Sequence, residues 1–309
     1  MAKEGSVKTK KKRGFLTKTD VVLGWIFGSL PLVGIIVFSA FPIGISFAAM
    51  FTSMSNNDLS TMAWNNFANF TKVFTDPVFW HSIKITLWLM GVQVYSVVMG
   101  CLIAYVLNQV KGTKFFRAVF FLPNVTSIIV ILTMFKWILD WKHGVVNEFL
   151  GMDIQWFGSA ENPQMLTWAI FIIFAWSAPA YGIILYSAAF RNINPALYEA
   201  ASLDGANKVQ QFFHVALPGI LPTVLYMLVM GIISGLTLFD WAQGICALSN
   251  QGAGGVDNMG LTVMYYIYIQ GVDFKHMDVA AVMSWVLFLL TAALSVPVFK
   301  LRRKAEEAV

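Results

Sequence analysis

Charge is scarce in this sequence. Of its 309 residues 12% are Asp, Glu, Lys or Arg against 58% hydrophobic, and the mean hydropathy is +0.68. A soluble chain of this length needs a solvated polar surface that so few charges cannot supply, so a water-soluble enzyme is excluded and lipid is the solvent. Cysteine is scarce too. Cys101 and Cys246 make neither a disulfide framework nor a metal-ligand spacing, and the redox compartment stays open. The four histidines, His81, His143, His214 and His276, lie far apart, and there is no HExxH, CxxC or GxSxG to organise a metal or an activated nucleophile. Gly252-Ala-Gly-Gly255 lacks the Lys-Ser/Thr of a phosphate-cradling loop and follows no strand-like run, so the chain carries no ATPase site of its own.

What is abundant is long apolar sequence. A bilayer core takes about 20 helical residues. Six stretches meet that length, at approximately Val21–Phe51, Ile83–Leu107, Phe115–Leu139, Leu166–Phe190, Val215–Phe239 and Val279–Phe299. The first follows a basic run, yet it is too long for a signal peptide and shows no small-residue cleavage site, so it is read as retained. Of the 21 Lys and Arg, 11 lie up to Lys18 or after Phe299, flanking apolar segments rather than lining a groove for nucleic acid. With the N-terminus inside, sixteen basic residues fall on the cytoplasmic side and five outside. That bias predicts two cytoplasmic termini. Lys84 and Lys136 sit about one turn inside outer span ends, where a long side chain snorkels to the interface. Prolines in most spans are tolerated as kinks and weaken no assignment.

The segment between the fourth and fifth spans, 191–217, is unlike an ordinary connection. Asn194 followed by Pro195 reads as a cap with proline at the first helical position, and Ala196 to Leu203 as a short helix of strong formers. Gly205 stops it. Ala206 to Ala216 resumes helical spacing, with Val209, Phe212, Phe213 and Ala216 expected on one face. Ala200, Ala201 and Gly205 keep one surface low for another backbone to approach, and Glu199 offers a fixed charge. From these residues alone, a docking element and an amphipathic hairpin lying on lipid both remain open.

The run Glu199-Ala-Ala-Ser-Leu-Asp-Gly205, with Val-Ala-Leu-Pro218 beyond it, resembles the EAA signature of inner-membrane permease subunits of binding-protein-dependent ABC importers. Further matches span most of the chain: Asn69 to Phe79, Phe115-Phe-Arg117 with Phe121-Leu-Pro123, Gly144-Val-Val-Asn147, Phe239-Asp240 and Tyr266-Ile-Tyr268. Together they resemble the maltose-type, oligosaccharide-importing branch, and within it the first of two permease partners. One region departs. That branch follows Phe-Asp with tyrosine and then Leu-Thr-x-Gly-Gly-Pro, whereas Phe239 to Gly255 has no proline and is a residue or two longer, which leaves outer-loop contacts undetermined.

The resemblance implies an all-α membrane protein of six transmembrane helices. A basic cytoplasmic tail (1–20) precedes a permease domain (21–299), and a second cytoplasmic tail (300–309) follows it. It implies residence in the bacterial inner membrane, multi-pass. The expected partners are a second homologous permease, two ATPase subunits that bind the ATP and Mg, an extracytoplasmic solute-binding protein, a sugar substrate and membrane lipid. No nucleic acid and no cofactor on this chain are expected. The coupling set is Tyr198, Glu199, Ala200, Ala201, Asp204 and Gly205: Glu199 pairs with partner charge, the alanines seat the helix, and Gly205 permits the turn.

The resembled branch binds sugar where the fourth and fifth spans face each other. Phe174, Ser177, Ala178 and Tyr181 fall at helical spacing there, and Gly231, Ser234, Gly235 and Leu238 repeat it opposite. Asp240 and Trp241 form an outer polar rim. The alternative for the glycines is helix packing, since small residues four apart let helices approach, and interfacial anchoring accounts equally for Trp241. Rival functions are a permease for a non-sugar solute, a secondary carrier, and an intramembrane enzyme. A carrier calls for intramembrane carboxylates and often an internal repeat. Only Asp240 comes near. An enzyme calls for a nucleophile with its base, or paired metal ligands, at one depth, and none is evident.

Overall fold

The computed structural model describes residues 18–110, 112–249 and 251–307. Most of the basic N-terminal tail, and Lys111 among the counted cytoplasmic lysines, lie outside the described residues. Two units are distinguished by their internal contacts, 1–48 and 49–309.

The first unit holds α1 (Lys18–Ile35) and most of α2 (Phe41–Ala49), joined through a π-helical turn over Ile36–Ala40. Helical conformation continues through that turn despite Pro31 and Pro42. Its side chains are apolar and exposed, with Trp25 at 71% and Phe38 at 82%.

The second unit opens with an antiparallel hairpin, β1 (Thr52–Ser55) and β2 (Asp58–Trp64). The expectation of an all-α chain is corrected here. The turn uses Asn56 and Asn57, both at positive φ (50° and 61°), where asparagine is among the best-tolerated residues. The same Asn57 side chain donates to the Gly271 carbonyl (2.8 Å) and accepts from the Met277 amide (3.0 Å), tying the hairpin to the start of the last helix.

Next come α3 (Ala68–Thr75), α4 (Pro77–Leu89), α5 (Gly91–Gln109), α6 (Lys114–Val125) and α7 (Ile128–Ile138). Asp76 caps α4 by accepting from the Val78 amide, with Pro77 at the first helical position. Its second oxygen accepts from Tyr266 (2.6 Å), and burial together with this bond pushes the Tyr266 phenol up to about 12, so it remains a donor. The third apolar stretch is not one straight span. Thr126 and Ser127 are non-helical (ψ 135° and 137°), and α6 and α7 meet at 103°. Among the described residues five helical segments are long and apolar enough to cross a membrane, or six if this bent pair counts as one.

The chain continues through α8 (Val145–Leu150), α9 (Met165–Ser177), α10 (Pro179–Arg191), α11 (Pro195–Leu203), α12 (Lys208–Gln211), α13 (Leu217–Gly219) and α14 (Leu221–Leu236). The last elements are α15 (Asp240–Ser249), α16 (Val263–Tyr268) and α17 (Met277–Glu307). The fifth span is interrupted at Thr237–Phe239 and resumes as α15. The sixth runs unbroken through Pro297 to Glu307, so the C-terminal tail begins as helix.

Two cores hold this unit together. One gathers Phe79, Leu89, Ile131, Leu166, Ile170, Leu236, Ile245 and Met283. The other gathers Tyr105, Ile183, Tyr186, Phe190, Phe212, Ala216 and Ile220 beneath the 191–217 segment. Cys101 and Cys246 are buried in them as free thiols, Cys246 on α15.

Candidate functional site: a membrane cavity and an exposed helix

The helix interruptions converge on one cavity of about 500 Å³. It is lined by α5, the C-terminal end of α6, the α9–α10 junction, α14 and the unwound residues before α15. Unwound backbone inside a membrane protein must find partners. It does so here: the Leu238 carbonyl accepts from Thr262 Oγ1 (2.6 Å), and at the α9–α10 junction, where Pro179 follows, the carbonyl of the helical Ala178 accepts from Ser96 Oγ (2.9 Å). Thr237 Oγ1 turns back to the Ile233 carbonyl (2.8 Å). The break is therefore a supported structure.

Of the nine residues singled out for the substrate path, eight lie on this wall: Phe174, Ser177, Ala178, Tyr181, Gly231, Ser234, Leu238 and Asp240. Their spacing survives Pro179 because Ala178 keeps helical dihedrals (φ −58°, ψ −38°), so α10 inherits the register of α9. Gly235 does not line the cavity. A Cβ there would stand 3.1 Å from Cγ of both Met90 and Gln93, so its role is close packing of α14 on α5. Trp241 joins the wall, its ring 5.3 Å from that of Phe174 and tilted by 34°. Sequence reasoning missed Gln93 and Asn124, which add two amides from the second and third stretches. The signal available was an isolated amide in an apolar run, costly in lipid unless it faces a polar space.

The wall is amphipathic. Phe174, Trp241 and Tyr181 give aromatic surface, while Gln93, Asn124, Ser234 and Asp240 give hydrogen-bonding groups. This is the composition expected of a site for a ligand with apolar faces and polar edges.

At the other end of α10 the segment 191–217 forms a helix, a turn and a second helix. Asn194 Oδ1 caps α11 at the Ala196 amide (3.0 Å). α11 ends in a Schellman turn: the Ala206 amide reaches the Ala201 carbonyl (2.9 Å), the Gly205 amide reaches Ser202 (3.1 Å), and Gly205 takes φ +80°. Asn207 and Gln210 then form a reciprocal capping box that starts α12. Buried Gln211 donates to Ser202 Oγ (2.8 Å) and to the Ala206 carbonyl (3.2 Å), fastening α11 to α12. No residue of α11 is buried, and Leu203 is 88% exposed. Tyr198 packs half-buried on the core below, whereas Glu199, Ala200, Asp204 and Gly205 face outward and Ala201 is half-buried. Among the described residues Glu199 makes no ion pair.

The single apolar face expected over Val209 to Ala216 is corrected. A π-helical turn over Phe212–Ala216 adds one residue to the winding. Phe212 and Ala216 go inward, while Val209 and Phe213 stay exposed at 64% and 56%.

The sequence profile of the family described as "Binding-protein-dependent transport system inner membrane component" matches residues 96–304, more than half of the chain and both features above. The chain belongs to this family. The permease is 30% identical over 310 residues to the "Probable ABC transporter permease protein YesP" of Bacillus subtilis, covering 97% of this chain and 96% of that protein. It is also 30% identical over 292 residues to the "Lactose transport system permease protein LacF" of Rhizobium radiobacter, covering 92% and 95%. Its fold matches a chain in the crystal structure of a bacterial ABC transporter that imports the acidic polysaccharide alginate, with TM-score 0.78 and 23% identity over 93% and 98% of the two chains.

Proposed function

We propose that this permease forms half of the translocation pathway of an ATP-driven importer, for a sugar or oligosaccharide delivered by an extracytoplasmic binding protein. The observation that carries this reading is the cavity: aromatic rings and hydrogen-bonding side chains converge at the breaks of membrane helices. A sugar has apolar ring faces and hydroxyl edges, and this wall complements both. Relatives named for lactose and arabinooligosaccharide transport support the substrate class. A second homologous permease supplies the opposite wall.

In this reading α11 is the coupling helix, seated in a cleft of an ATPase subunit, and ATP and Mg bind on the two ATPase partners. Glu199 meets partner charge, and Ala200 and Ala201 let the partner backbone approach. The outward carboxylates Glu199 and Asp204, on a helix with no Lys or Arg, favour protein contact over lying on lipid. Because α11 is fastened to α12 and joined to α10 through only Asn192, Ile193 and Asn194, its displacement is passed to α10 and α14, both of which line the cavity. Coupling is thus a two-state lever between nucleotide state and cavity access. Both termini and α11 face the cytoplasm of a bacterial cell, as the sixteen-to-five charge bias supports.

The test is uptake of radiolabelled oligosaccharide in cells carrying the permease with and without its ATPase partner. Uptake should vanish without the ATPase and survive an uncoupler while cellular ATP is maintained. Uptake that persists without the ATPase and collapses with the proton gradient would instead establish a secondary carrier.

A further inference from the structure

Two further cavities lie at the α11 end of the bundle, and they share a wall. The larger, about 430 Å³, is lined by Arg117, Arg191 and Lys208 together with Asn108, Tyr105 and Tyr198. The smaller, about 200 Å³, runs up between α6 and α10 and is lined by Phe121, Ala180, Ile183, Ile184, Ser187 and Ala188, closed by the same Arg117 and Arg191. No carboxylate lines either space, and among the described residues none of the three cations is ion-paired. Arg117 Nη2 donates to Asn108 Oδ1 (2.8 Å) and, at longer range, to the Leu107 carbonyl (3.5 Å), both neutral acceptors, and its Nε is buried without a partner. Among the described residues Arg191 makes no side-chain hydrogen bond, and the Lys208 ammonium reaches only the neutral Gln211 (3.2 Å).

Three uncompensated cations around a polar space, opening onto an apolar slot along membrane helices, have the shape and charge of an amphiphile with an anionic head. We infer that this double cavity binds one anionic phospholipid, its phosphate held by Arg117, Arg191 and Lys208 and one acyl chain lying in the slot beside Phe121 and Ile184. A free phosphate shares the head chemistry but leaves the slot empty. An acidic side chain of a partner protein would reach the outer space but has no use for a slot inside the bundle. The apolar slot therefore favours lipid. The position has a consequence: Tyr198 of α11 and Lys208 of α12 border the head, so a bound lipid braces the two helices from beneath.

The experiment uses the assembled transporter in detergent, with native mass spectrometry to count retained phosphatidylglycerol against added phosphatidylcholine. Wild type should hold one phosphatidylglycerol per copy of this permease in preference to phosphatidylcholine. Arg191→Glu changes an exposed residue that carries no internal bond, so folding is preserved. It should weaken that retention roughly 10- to 30-fold, and Arg117→Lys less. Ile184→Trp, which fills the slot and leaves the charges, should also displace the lipid. Equal retention in wild type and Arg191→Glu overturns the assignment, as does equal retention of the two lipids. Competition by glycerophosphate as effective as by the whole lipid, or unchanged binding in Ile184→Trp, shows a phosphate site and overturns the lipid. Loss of the ATPase subunit from Arg191→Glu with its phosphatidylglycerol still bound assigns the cations to protein contact and overturns it as well.

Discussion

Gly205 separates backbone conformation from side-chain bulk. Its φ is +80°, and a Cβ placed on it meets nothing within 4 Å. Substitution there creates no clash, and the whole cost is the left-handed backbone. That cost is about 1–2 kcal/mol for an ordinary L-residue and about 1–3 kcal/mol for a strained β-branched one. At a factor of ten per about 1.4 kcal/mol, Gly205→Val should lower the population of the Schellman turn, relative to unwound alternatives, roughly 5- to 150-fold. Unwinding would release the Ala206 and Gly205 amide bonds and swing α11 away from Gln211. The series Gly205→Asn, Gly205→Ala, Gly205→Val should therefore rank by tolerance of positive φ and not by volume, with Asn nearest wild type. The assay is oligosaccharide uptake alongside co-purification of the ATPase, with the amount of permease in the membrane fraction as control for insertion. Normal uptake and normal ATPase recovery in Gly205→Val would refute the reasoning, and so would an Asn variant as impaired as Val.

Tyr181→Ala and Ser234→Leu, made separately in the assembled transporter, should lower uptake and ligand-stimulated ATPase activity while assembly persists; wild-type uptake across substrate concentrations in both would reduce the stripe to packing. Gly255 has φ +70°, and its added Cβ would strike Leu166 Cδ2, so Gly255→Ala combines strain with overpacking; a loss of about 2–4 kcal/mol is expected, read as a lower aggregation temperature in detergent. Cysteine introduced near Lys12 or Lys304 should be shielded from an impermeant thiol reagent in intact cells and one near Asp58 or Asp257 should react; the reverse pattern refutes the orientation.

The parts of the structure that were legible in the sequence are those written in local chemistry. Asn194-Pro195 announces the start of α11 and Gly205 its end, because capping and positive φ depend on single residue types. The stripe from Phe174 to Tyr181 was readable because Pro179 interrupts hydrogen bonding without breaking register. The bend between α6 and α7 was overlooked: Pro123-Asn-Val-Thr-Ser127 is a short run of turn-forming residues, but the apolar sequence on both sides carries the hydropathy of one span through it. Pro123 alone does not mark it, since the chain stays helical to Val125. Gln93 and Asn124 each carried a local signal, an amide in an apolar run, but which cavity they face is set by the tertiary packing of α5 and α6. Val209 and Phe213 were misplaced because the inward face is set by Gln211, Phe212 and Ala216, with a π-helical turn over Phe212–Ala216 altering the spacing that an unbroken α-helix would give. The hairpin had a local signal in Asn56-Asn57, but its strands are too short and irregular to show clear alternation.

A nine-residue helix with no buried residue is far below the length at which helices persist alone, since isolated helices shorter than about 12–15 residues are marginal in water. Three devices from its own chain hold α11: the Asn194 cap, the Gly205 turn and the Gln211 amide. In an unassembled permease that helix, with Leu203 and Val209 bare beside it, is the segment most ready to open and so the one a protease reaches first. Docking an ATPase subunit would cover it. If α11 is the coupling helix proposed above, the surface that transmits force in the assembled transporter is the same one an unassembled permease leaves open to proteolysis.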